Sequence, residues 1–152
     1  MPKASVQLQD NYKTVIHLRD HTIIADEPAS EGGTDAGPTP VELLLASLGA
    51  CAAITAKLYA NRKGWPLEGV TVNLSNERFK AGDYPAYSGE ADFVNEFRQH
   101  IEFHGPLSHE QRERLLEIAG KCPVHRILTS PNFVIDELVD TDLPEREQPP
   151  AH

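Results

Sequence analysis

GPTPVELLLASLGACAAITAKLYANRKG, residues 37–64, holds the longest apolar run in the chain and dictates how the rest must be arranged. Thr39 can serve as an N-cap, Pro40 suits a first helical turn, and Glu42 completes a Thr-x-x-Glu capping box. The pattern predicts a helix to about Lys63, with Gly64 as its stop. Between Leu43 and Ala60 the apolar residues fall on every face, and a helix with no polar stripe must be surrounded by protein. The uninterrupted stretch Leu43–Ala56, bracketed by Glu42 and Lys57, is shorter than the roughly 18–20 residues of a bilayer span. It is therefore expected as a buried core helix at the centre of the fold.

The flanking sequence supplies strands to cover it. Val6 and Leu8, then Tyr12 to Leu18, then Ile23 and Ile24 after a charged turn at Arg19-Asp20, read as two or three short strands. EPASEGGTDAGPTP is a loop dense in Gly and Pro that delivers the helix. Val70, Val72 and Leu74 alternate as one strand, Phe93, Phe97, Ile101 and Phe103 as a longer one, with Glu77–Gly89 between them as a polar turn or loop. Ser108 and Gln111 cap a second helix, and Leu115, Ile118 and Cys122 share one of its faces. Pro123 interrupts that helix, a short one runs from Pro123 to about Thr129, and Phe133–Val139 is expected as a last strand. The fold class is α+β: two main helices packed with antiparallel strands in a single domain over residues 1–140, followed by a flexible tail at 141–152.

The chain has 152 residues, enough for one domain with a real core. A formal net charge of −9 makes nucleic acid and anionic membrane surfaces poor partners, and small uncharged or apolar substrates better ones. The N-terminal residues lack the apolar segment of an export signal, so a cytoplasmic location is expected. There, two cysteines are thiols rather than a structural bridge, and a disulfide between them would be transient and catalytic.

Each cysteine has two readings. Cys51, among Leu44, Leu48, Ile54 and Thr55, is either a small hydrophobe filling the core or a helix-borne nucleophile. Cys122 either continues the stripe of the second helix or, followed by Pro123, sits at the N-cap of the short helix, where free N–H groups and the helix dipole favour a thiolate.

GPTPVELLLASLGAC, continuing as AAITAKLYANRKGWPLEGVTVNL, resembles the central-helix signature of the OsmC/Ohr family of hydroperoxide-reducing proteins. GKCPVHRIL resembles the family's second-cysteine segment, and the two occur in the family's order. The likeness extends in pattern from about Val6 to Val139 and is nearest to the OsmC-like branch carrying KCPVHR. It implies an intertwined homodimer, two central helices wrapped by strands of both chains, and active sites at the interface. It also implies a peroxidatic Cys51, a resolving Cys122, a small or protein dithiol as reductant, an organic hydroperoxide in preference to hydrogen peroxide as substrate, a role in oxidative stress defence, and no metal or organic cofactor.

The best-known branch of that family carries a Glu ten residues before the first cysteine; here that position is Val41, and the acid is Glu42. The same branch uses an Arg of the N-terminal hairpin to stabilise the thiolate, for which Arg19 is the nearest candidate and Lys13 another. Nine residues place Glu42 on the face of the helix opposite Cys51 and about 13 Å along the axis, so a catalytic Glu42 would have to come from the partner subunit. His125 could polarise a thiol or bind substrate.

Other chemistries have weaker support in the sequence. Cys122-Pro123-Val124-His125 is at most half of a zinc site, which needs two further ligands. GGTDAGPTP lacks the Gly-Lys-Ser/Thr ending of a phosphate cradle. Two rival functions are a Cys51 nucleophile with His125 as base acting on acyl groups or thioesters, and a non-enzymatic dimeric module binding a small apolar ligand.

Overall fold

The structure is a computed structural model and describes residues 2–8 and 10–139. Three short strands, β1 (Ser5–Leu8), β2 (Thr14–Leu18) and β3 (His21–Ala25), form an antiparallel meander in the order β1-β2-β3. The β2–β3 turn places Arg19 at φ 56°. A buried carboxylate then fixes the loop that follows. Asp26 accepts hydrogen bonds from the backbone N–H groups of Glu27 (2.8 Å), Thr34 (3.1 Å) and Ala36 (3.1 Å), and from the Thr34 hydroxyl at 2.5 Å. With the Thr34 hydroxyl as the main cause and the three N–H groups adding to it against the cost of burial, the Asp26 carboxyl is held down to about 2.

Helix α1 (Pro40–Lys63) begins and ends where its capping residues dictate. The Thr39 N–H donates to Glu42 Oε2 at 2.8 Å, and the Glu42 N–H donates to Thr39 Oγ1 at 3.3 Å. Gly64, at φ 66°, closes the helix by donating to the carbonyls of Ala60 and Asn61. The helix packs on a hairpin of β4 (Gly69–Lys80) and β5 (Phe93–His104), paired from Gly69↔His104 to Lys80↔Phe93. Gly49 lets the two approach closely: a Cβ there would lie 2.6 Å from Leu74 Cδ1. Helix α2 (His109–Ala119) has the expected Ser108–Gln111 capping box, and Arg112 ties its start to β5 by donating to the carbonyls of Phe103 and Gly105. Helix α3 (Pro123–Thr129) follows at once. One core joins these elements: Leu48, Ala52, Ala56 and Ala60 of α1 meet Leu67, Phe103, Leu115, Ala119 and Cys122.

Four sequence expectations need correction. β4 continues to Lys80, so the expected loop from Glu77 is shorter, because the register carries exposed polar residues such as Glu77 and Arg78 as ladder partners of Glu96 and Asn95. Helix α1 is not surrounded by the described residues: the strands and α2 cover one side, and Ile54 (60% exposed), Leu58 (53%), Val41 and Leu44 face outward. At 24 residues, with a mean hydropathy of 1.7 over its best 18, it also has the length and composition of a bilayer span, although Leu48, Ala52, Ala56 and Ala60 are packed in a protein core. Phe133–Val139 forms no strand, because among the described residues no strand pairs with it, and Phe133 is 91% exposed. The tail expected at 141–152 lies outside the described residues.

Candidate active site

The cysteines approach each other from different elements. Cys51 lies twelve positions into α1 and is half-buried at the edge of the core; Cys122 is fully buried. Cys122 is the N-cap of α3, with Pro123 in the first turn, and its Sγ accepts the His125 N–H at 3.4 Å. Burial pushes the Cys122 thiol up, against the pull of the His125 and Val124 N–H groups, and the adjacent Cys51 thiol pushes it further. The N-cap position predicted from sequence is present. Its expected effect on the thiol is reversed, because desolvation in the Leu115–Ala119 core outweighs what the first turn of a seven-residue helix supplies.

The other candidate residues are placed less centrally. Glu42 is exposed and engaged with Thr39 in the cap of α1. Arg19 is exposed in the β2–β3 turn. His125 is half-buried; its backbone serves Cys122, while the residue lines a cavity of about 450 Å³ between β5, α2 and α3. Neither cysteine lines that cavity, but Leu48, one helical turn before Cys51, does. Among the described residues, no cluster of three or more His, Cys, Asp or Glu is arranged to hold a metal.

Several cavity residues were not legible as a group in the sequence. Tyr84 donates to Glu96 Oε2 at 2.7 Å, and Arg98 Nε donates to Glu96 Oε1 at 3.0 Å. Arg98 first, then Tyr84, lowers the Glu96 carboxyl, and Glu96 in turn raises the Tyr84 phenol. Gln99 Oε1 is buried there with no hydrogen-bond partner among the described residues. The only sequence signal was the odd-numbered face of β5, from Phe97 to Phe103, because the Tyr84 partner arrives from a loop with no periodicity.

A long helix laid on an antiparallel hairpin, with one thiol at its middle and a second at the start of a short third helix, defines a two-cysteine α+β protein. The chain belongs to the OsmC-like protein family, whose sequence pattern matches residues 32–136. No curated protein matches it. Solved structures with the same fold include an OsmC-like protein from Mycoplasma pneumoniae, at 24% identity and TM-score 0.69, covering 84% of this chain and 86% of that one. An organic hydroperoxide resistance protein OsmC from Legionella pneumophila has 20% identity and TM-score 0.62, covering 85% and 89%. The organic hydroperoxide resistance protein OhrB of Bacillus subtilis has 16% identity and TM-score 0.60, covering 85% and 90%. The α+β architecture read from the sequence is the fold of these proteins.

Proposed function

We propose that this chain is a thiol-dependent peroxidase for organic hydroperoxides, acting as a homodimer, with Cys51 as the peroxidatic and Cys122 as the resolving residue. The observation that carries the reading is the pairing of a half-buried thiol on α1 with a fully buried one on α3. Attack requires a sulfur that substrate can reach, and resolution requires a second sulfur already beside it.

The Cys51 thiolate attacks one oxygen of the peroxide, the O–O bond breaks, and the alkoxide takes a proton to leave as an alcohol. Cys51 is then a sulfenic acid. The Cys122 sulfur displaces its hydroxyl group, forming the disulfide and releasing water. A dithiol restores both thiols and is itself oxidised to a disulfide, so that two electrons pass from the dithiol to the peroxide. The apolar residues around Cys51 favour an organic peroxide over hydrogen peroxide. Arg19 is proposed to stabilise the Cys51 thiolate. Glu42 would serve only from a second copy, since its own helix places it on the wrong face.

The test is to treat each single variant with one equivalent of cumene hydroperoxide in the presence of a sulfenic-acid trap. Cys51→Ser should consume no peroxide, and Cys122→Ser should react once and carry the trap on Cys51. An adduct on Cys122 in Cys51→Ser, with none on Cys51 in Cys122→Ser, would reverse the roles.

A further inference from the structure

We infer that the oxidised protein is reduced at one sulfur only: the external thiolate attacks Cys51 Sγ, and Cys122 is the leaving group and never the point of attack. The inference rests on the peroxidase reading for the physiological source of the disulfide, and on the difference in burial between the two sulfurs for its regiochemistry. Thiol–disulfide exchange is an in-line displacement, so the attacking sulfur arrives opposite the departing one. For attack on Cys122, that line runs through the core, where Cys122 has no exposed surface and is enclosed with Leu48, Ala52, Leu115 and Ala119. Cys51, by contrast, is only half-buried at the edge of that core.

The reductant thiolate forms a bond to Cys51 Sγ, the Cys51–Cys122 bond breaks, and Cys122 departs as a thiolate that takes up a proton. The second thiol of the reductant then attacks the first, releasing Cys51 and closing the reductant's own disulfide. Leaving-group chemistry by itself argues for the opposite direction, because a buried sulfur departs more slowly. Access decides instead, since a sulfur with no surface presents no target. The His125 N–H, already donated to Cys122 Sγ, is in place to receive the charge that develops there.

The regiochemistry can be tested without relying on peroxidase activity. The disulfide is formed in the wild-type protein with diamide, exposed briefly to excess 2-mercaptoethanol, quenched in acid, and alkylated with N-ethylmaleimide in denaturant before peptide mass spectrometry. Mercaptoethanol should be found on Cys51 and maleimide on Cys122, in excess over the reverse pattern by about tenfold or more. Equal labelling, or mercaptoethanol on Cys122, would overturn the inference.

A second measurement guards against a short-lived adduct. Each single variant is charged with thionitrobenzoate on its remaining cysteine, and release by dithiothreitol is followed by absorbance. Release from Cys51 in Cys122→Ser should be at least about tenfold faster than from Cys122 in Cys51→Ser, and failure of Cys122 to label in the folded protein is the same result in stronger form. Comparable rates would count against it. Loss of the peroxidase reading would appear separately, as unconsumed hydroperoxide.

Discussion

At the scale of single residues, burial and hydrogen bonding decide how Asp26 and Cys122 titrate, and the two shifts have opposite consequences for stability. The folded Asp26 carboxyl lies below its ordinary 3.8, at about 2, so its contribution is complete above pH 3.8 and is lost as pH falls toward 2. Thermal midpoints should drop across that window, and Asp26→Asn should lower the midpoint at pH 7 while flattening the acid slope; an unchanged slope would remove Asp26 as its cause. Cys122 is raised above its ordinary 9.0, so its neutral form is favoured in the folded state. That contribution is complete below pH 9.0 and fades as pH climbs above it, and Cys122→Ser should lose this part of the alkaline destabilisation. Glu42→Gln separates capping from catalysis, since a glutamine oxygen still accepts from the Thr39 N–H. Peroxide consumption within about twofold of wild type is expected if capping is the whole role of Glu42 in its own chain. A loss beyond tenfold at unchanged stability would place the Glu42 carboxylate of a second copy at the site.

At the scale of elements, helix boundaries were legible because they are written in local chemistry: Thr39, Pro40, Glu42 and Gly64 for α1, Ser108 and Gln111 for α2, Pro123 for α3. Thr39→Ala should cost about 1 kcal/mol, read from denaturant midpoints, through the loss of one cap. Leu115→Ala, which empties a fully buried position between α1 and α2, should cost about 2–5 kcal/mol in the same experiment. A smaller loss would mean that the α1–α2 seam can collapse. The extent of β4 was not legible, because alternation weakens beyond Asn76 and only the pairing with β5 defines the strand. The burial of Asp26 was likewise hidden: the Gly-rich loop announced a turn, but the convergence of three N–H groups on one carboxylate depends on how that loop closes. Cys122 shows the limit most clearly, since its N-cap position followed from Pro123 while the state of its thiol depended on packing against α2.

At the scale of the whole molecule, the surface this chain leaves apolar supports the proposed dimer. Ile54 and Leu58 on α1 and Phe133, Val134 and Ile135 beyond α3 are all exposed, and a second copy would bury them. The sequence expectations of a helix covered on every side and of a strand at Phe133–Val139 both lack a partner among the described residues. Light scattering at micromolar concentration should give twice the chain mass, and Ile54→Glu should shift it toward the monomer; a strictly monomeric wild type would contradict the dimer. Whether Cys51 and Cys122 together reduce an organic hydroperoxide is decided by counting free thiols in denaturant before and after one equivalent of cumene hydroperoxide. The two free thiols should be lost together, with one cumyl alcohol formed for each pair. Retention of both thiols with the hydroperoxide intact would contradict it.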